Sequence, residues 1–233
     1  ADLCMKHGYT CRLVAGDPND VLHRYAVVAD DYAPTQIVRV TGDCPLIDPA
    51  MLDGLLAYHD AHAEEVLIDR GRYGGAALAP TRLRQLPDYT GIALEFGDGF
   101  DCEVLSRTAL DAAHAEATLP SEREHVSSYI WGHPERFRCL TYPCPFQMPW
   151  MRLSIDTPDD LLLVETLLEA CLYRYGPTFG WRELLMTIET GVTDVKTRMA
   201  ARPHNQAYLE QVAREQEDPG IPTWAALRYG RTT

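Results

Sequence analysis

Two aspartates stand where apolar runs give out. Asp43 follows Gly42 in "IVRVTGDCPLIDP" (37–49), and Asp156 closes "MRLSI" (151–155) and opens "DTPDD". Two carboxylates in one cleft suit a hard divalent ion, Mg2+, which keeps several waters and takes phosphate oxygens as further ligands. Sharing one ion requires carboxyl groups within about 6 Å of each other, given Mg–O bonds near 2.1 Å. Aspartates at strand ends also serve turns, so spacing alone leaves both accounts open. Asp159 and Asp160 read differently. They fall in the first turn of a helix opened by Pro158, where acidic residues offset the partial positive charge of the helix N-terminus.

Such a pair needs a scaffold, and the sequence alternates strand and helix patterns. "TCRLV" (10–14) predicts a short strand, and Asn19 or Asp20 caps a helix through "DVLHRYAVVADDY". "QIVRV" (36–40) predicts a central strand covered on both faces. Asp48 and Pro49 start the next helix, with Met51, Leu52, Leu55 and Leu56 as its inward stripe. "FDCEVL" (100–105) predicts a strand, and Ser106 caps "RTALDAAHAEAT". Ser121 with Glu124 reads as a capping box. "RCLTY" and "MRLSI" predict further strands, and a helix runs from Pro158 to about Tyr173. Residues 61–97 read as a loop-rich, lid-like excursion. "WRELLMTIETG" is helical, and the chain from Arg202 is polar and punctuated by proline. Residues 1–201 therefore read as one domain and 202–233 as an extension. The alternation implies an α/β domain with a mostly parallel sheet, which binds ligands at the carboxyl ends of its strands.

The 233-residue chain carries a formal charge of −13, which argues against general nucleic-acid binding but not against a nucleotide as a small ligand. No stretch approaches a membrane span, so membrane insertion is not expected. Seven cysteines without a C-x-x-C pair read as reduced thiols of a cytoplasmic protein. "ADLCMKHG" reads as the tail of a helix closed by Gly8.

The ordered segments "GDPNDVLHRY" (16–25), "IVRVTGDCPLIDP" (37–49), "GDGFDCEVLSRTAL" (97–110), "SEREHVSSYIWGHPERF" (121–137) and "MRLSIDTPDDLLLV" (151–164) resemble the cytidylyltransferase family. That family includes spore coat polysaccharide biosynthesis proteins of the F type and the acylneuraminate and 3-deoxy-manno-octulosonate cytidylyltransferases. The resemblance implies a Rossmann-like, GT-A-type three-layer α/β sandwich. It also implies Mg2+-dependent condensation of CTP with a sugar, release of pyrophosphate, and a homodimer. It places the metal ligands at Asp43 and Asp156.

Around that frame, Arg39, Arg123 and Arg152 are the cations available to phosphate oxygens. Arg39 reads equally well as a strand residue paired with a carboxylate. Arg123, read in a helix's first turn, calls for an anion nearby, whether Glu122, Glu124 or a ligand. His125 is a substrate contact or a structural helix-face histidine. Asp98, Asp101 and Glu103 resemble the family's "DGxDxE" segment and are candidates for sugar hydroxyls. Asp20 and Arg24, one helical turn apart, read as an ion pair. The chain departs from the family in one respect: an opening strand and a loop of the type "QARxxSxRLPGK" have no counterpart in it. Either this is an incomplete stretch of a longer product or a non-catalytic relative. A glycosyltransferase on the same fold is the further alternative.

Overall fold

The computed structural model describes residues 1–68, 72–73, 76–77, 81–93, 96–146, 148, 150–190, 199 and 206–216. They form a mixed α/β structure. Four strands make the main sheet in the order β1-β7-β6-β8: β1 (Gln36–Val40), β6 (Tyr89–Ile92), β7 (Cys102–Ser106) and β8 (Cys139–Tyr142). The inner strands, β6 and β7, are buried almost throughout. Strand β1 stands at one end of this order, and Val38 and Val40 remain partly exposed. Among the described residues its apolar run belongs to an edge strand, not to the doubly covered central one expected.

Helices start where capping chemistry dictates. In α2 (Val21–Tyr32) the Asp20 carboxylate accepts the His23 N–H at 3.0 Å. In α3 (Pro49–Ala61) Asp48 accepts from Ala50 at 2.6 Å and also from the Trp181 N–H at 2.5 Å. Ser106 caps α4 (Arg107–Glu116), and Thr157 caps α7 (Pro158–Tyr175). Each such cap satisfies an N–H that the helix itself cannot. The helix at Ser121 departs from expectation. It is α5 (Pro120–His125), and Glu122, not Glu124, reaches back to the Thr118 and Leu119 N–H groups at 3.1 Å. Pro120 supplies the fixed φ of a first helical residue. Ser121 instead donates to Glu215 of α9 (Gln206–Gln216), a helix that the polar composition past Arg202 concealed. Further helices among the described residues are α1 (Asp2–Lys6), α6 (Ser128–Gly132) and α8 (Trp181–Thr190).

Three further expectations are corrected. Residues 10–14 form no strand; Leu13 is 72% exposed, and apolar character alone cannot make a strand without a paired neighbour. The stretch after α3 is not mainly loop. Within it, β2 (Glu64–Ile68) pairs antiparallel with β5 (Thr81–Gln85), and β3 (Arg72–Tyr73) pairs with β4 (Ala76–Ala77). Residues 151–155 are extended but form a single parallel bridge, Asp98 with Arg152, in place of a full strand. The tail around Trp224 and Tyr229 lies outside the described residues.

The chain divides into two compact units. One comprises Ala1–Ile37, Leu105–Cys139 and Asn205–Thr233. There α2, α4, α5 and α6 pack through Leu22, Ala26, Leu110, Ala113, Val126 and Ile130. The other, Val38–Val104 with Leu140–His204, buries Leu55, Phe96, Phe100, Val104, Met151, Leu153, Leu163, Leu167 and Leu184 as one apolar core. Gly99 sits in this second core at φ +102°, and a Cβ there would lie 2.6 Å from Leu153. Both the dihedral and the contact exclude a side chain. Gly99→Ala is expected to cost roughly 2 kcal/mol or more in urea unfolding, and an unchanged midpoint would show that residues 97–99 relax freely.

Candidate active site

The second unit gathers most of the residues that the sequence singles out. Asp43 ends the turn after β1, and its carbonyl accepts the Ile155 N–H at 2.8 Å. The neighbouring strip is tied to the Gly97–Gly99 turn, since Asp98 donates to Met151 O and Leu153 donates to Asp98 O, both at 2.9 Å. Two backbone ties therefore bring three distant stretches side by side. Both Asp43 and Asp156 are exposed.

The Asp43 turn is pinned by Cys44. Its buried thiol lies 3.1 Å from Thr41 Oγ1 and donates weakly, at 3.8 Å, to Asp43 and to Asp101. Burial, followed by the Asp101 charge, pushes this thiol up to about 12, so Cys44 acts as a packed donor and not as a nucleophile. Asp156 is set by the start of α7. Its N–H and that of Thr157 donate to the buried Asp160 carboxylate at 3.2 and 2.8 Å. Asp160 thus serves the helix cap, and Asp156 itself stays outside the helix.

Arg152 is the cation of this cluster. It donates to Asp98 Oδ2 at 2.6 Å, pairs with Asp156, and approaches Asp160 Oδ1 at 4.0 Å. Ser154 Oγ adds a bond to Asp98 at 3.1 Å. Burial raises the Asp98 carboxyl above its ordinary value, and the Arg152 charge opposes that rise. Asp101 accepts the Gly99 N–H at 3.1 Å. It keeps an exposed edge, but loss of water on its other sides and then the Asp98 charge push it up to about 6. Glu103, buried in β7, is paired with Arg39 of β1 at 2.7 Å. That pair sets one acid and one base of the candidate list against each other.

Arg123 and His125 belong to the other unit. Arg123 lies in the last turn of α5, where a cation is favourable, and not in a first turn. Its anion is Asp20, held through two bonds of 3.0 and 2.7 Å, in place of the expected Glu122 or Glu124. Arg24 bonds the carbonyls of Asp17 and Pro18, so the expected Asp20–Arg24 ion pair gives way to Asp20–Arg123. His125 meets Tyr208 edge to face at 4.5 Å and approaches Gln211 at 3.4 Å. Residue 126 could not be singled out from sequence. Val126 adopts φ 60°, ψ −61°, and the Ser127 N–H closes on His125 O at 2.6 Å, a strained γ-turn at a buried, branched residue.

Among the described residues no group of three or more His, Cys, Asp or Glu side chains could hold a metal ion. The hard oxygen donors Asp43 and Asp156, exposed on stretches joined by a backbone bond, fit Mg2+, which binds through one or two carboxylates plus waters and phosphates. A cavity of about 480 Å3 at the base of the β2–β5 pair is lined by Asp60, Glu65, Arg82 and Arg84 among others, and holds none of the candidate residues.

The sequence model of the cytidylyltransferases matches residues 1–188. The chain belongs to the cytidylyltransferase family. It is 32% identical over 167 residues to the spore coat polysaccharide biosynthesis protein SpsF of Bacillus subtilis, covering 70% of this chain and 59% of that protein. An uncharacterized protein of Methanocaldococcus jannaschii is 28% identical over 167 residues, covering 70% and 57%. The chain thus spans less than two thirds of the length of these relatives. A solved cytidylyltransferase from Leptospira borgpetersenii superposes with a TM-score of 0.62 at 27% identity, over 81% of this chain and 69% of that one.

Within the candidate site, Asp101 offers a test by pH. Its raised folded-state value means that its contribution to stability is present below the ordinary carboxylate range near 3.8 and is lost as pH rises through about 6. Asp101→Asn keeps an oxygen for the Gly99 N–H and removes the charge. Discounted for the exposed edge, the variant gains about 1 kcal/mol at pH 8, or roughly 2–4 °C in melting temperature. No gain is expected at pH 4; an equal shift at both pH values would disprove the crowding of Asp101 by Asp98.

Proposed function

We propose that the protein is a Mg2+-dependent nucleotidyltransferase that condenses CTP with a sugar, giving a CMP-sugar and pyrophosphate. Family membership supports nucleotidyl transfer. The observation that carries the site is the Ile155–Asp43 hydrogen bond, which sets "GDCP" beside "DTPDD". We read the fold as a Rossmann-like, GT-A-type domain, in line with its α/β order and with the Leptospira structure. The name of the SpsF relative supports a sugar acceptor destined for a surface polysaccharide. The seven cysteines without a C-x-x-C pair carry the cytoplasmic setting, and the resemblance carries the homodimer, that complete this reading.

In the proposed reaction a sugar hydroxyl attacks the α-phosphorus in line and the bond to pyrophosphate breaks. Asp43 and Asp156 would hold the ion. When bound, it neutralises charge on the phosphate oxygens and makes the attacking hydroxyl easier to deprotonate. The chain's own contribution is alignment. Cys44 and Thr41 fix the Asp43 turn, and Asp160 fixes the backbone at Asp156, so the backbone that carries each carboxylate is held in advance. Asp101 sits beside Cys44 with an exposed edge, which supports reading it as the acceptor for a sugar hydroxyl.

Incubation of the complete protein with Mg2+, CTP and candidate sugars should release pyrophosphate. Asp43→Ala and Asp156→Ala, with unchanged circular dichroism, should each lose about a hundredfold or more in rate. Full rates in both variants would remove the site. Turnover of a nucleotide-sugar donor without pyrophosphate would instead favour a glycosyltransferase.

A further inference from the structure

Arg152 is only 11% exposed, and it is shared by three carboxylates of unequal freedom. Asp98 and Asp160 are buried beside it at 9% and 3% exposure, and Asp160 is already committed to the N–H groups of Asp156 and Thr157. A guanidinium between buried acids stays in place, because its departure would strand charge away from water. The bond to Asp156 differs, since that side chain is 52% exposed and water can replace its partner. One guanidinium edge is therefore anchored and the other is exchangeable. Three carboxylates sharing one arginine also leave the cluster short of positive charge.

We propose that Arg152 is a positioning residue whose ion pair with Asp156 must be displaced by an incoming divalent ion, and that the guanidinium edge so released turns to the oxygens of the metal-bound triphosphate. The inference rests on the reading of Asp43 and Asp156 as metal ligands. The ion and Arg152 compete for one carboxylate. Arg152 therefore weakens binding of the free ion and favours the ion arriving with nucleotide, whose phosphates offer the released edge a new anion.

Mn2+ titrations followed by electron paramagnetic resonance test this without any sugar. Arg152→Lys keeps the charge, but its single ammonium cannot span Asp98 and Asp156 together; it stays with buried Asp98 and frees Asp156. Arg152→Lys and Arg152→Gln should each bind Mn2+ about fivefold or more tighter than the unaltered protein. Tightening in Arg152→Gln alone would reveal a general field effect and overturn the competition. Unchanged or weaker binding in both would overturn it as well. If neither the unaltered protein nor either variant binds Mn2+, the metal-site reading itself falls, and this inference with it. Should Arg152→Gln fail to fold, the lysine variant and the unaltered protein decide the matter. In the unaltered protein the Arg152 Nε–Hε resonance should move as Mg2+ saturates the site, and a stationary resonance would refute displacement.

Discussion

The arrangement of acids depends on how the backbone of residues 151–155 is satisfied. An extended strip inside a packed core must give its N–H and C=O groups partners. This strip finds them on two separate stretches: Asp98 bonds Met151 and Leu153, and Asp43 bonds Ile155. Met151 and Leu153 are fully buried in the same strip, so apolar packing and backbone pairing fix one register together. Gly97 and Gly99 allow the approach, because a Cβ at either would come within 3 Å of Met151 or Leu153. Polar side chains follow from that register. With Leu153 inward, Arg152 and Asp156 fall beside Asp98, and no other carboxylate–arginine geometry is needed to explain the cluster.

A second consequence is electrostatic. Asp101 and Glu103, two residues apart, share one side of the stretch that enters β7, and the Gly99 turn brings Asp98 close to Asp101. Like charges so close cannot all ionise cheaply. The chain answers each differently. Arg39 balances Glu103, and Arg152 balances Asp98, whereas Asp101 takes only the uncharged donors Gly99 N–H and Cys44 S–H among these and is pushed up to about 6. Proton occupancy thus concentrates on the member nearest solvent. That is where proton exchange with solvent is easiest.

Local signals in the sequence reached the helices well and the long-range pairings poorly. Asp20, Asp48 with Pro49, Ser106, and Thr157 with Pro158 announce helix starts because a cap acts within three residues. The β2–β5 pair was hidden, since "EEVLI" and "TRLRQ" carry no sustained apolar alternation. Strand β1 looks central because "QIVRV" is nearly all apolar, yet burial depends on neighbours that the strand itself does not encode. For the candidate site, the residue types and their strand-end positions were legible. The partnerships Arg152–Asp98 and Arg39–Glu103 were not, because they join residues that only the sheet brings together.

The "SEREHV" stretch shows how a family motif can be used for bracing. Ser121 bonds Glu215, Glu122 closes the N-terminus of α5, and Arg123 grips Asp20 and the His114 carbonyl. Gln211 bonds Glu124, and His125 packs on Tyr208. Glu122 thus caps α5 itself, and Ser121, Arg123, Glu124 and His125 are each tied to another element of their own unit. A γ-turn at a branched residue costs on the order of 1–3 kcal/mol and persists only where its surroundings over-determine it. Ties on five successive residues supply that determination, and full burial of Val126 offsets part of the cost. The strain thus follows from bracing on both sides: α5 is fixed by α2, α4 and α9, while Ser127 and Ser128 must begin α6 within two residues. A γ-turn is the conformation short enough to join them.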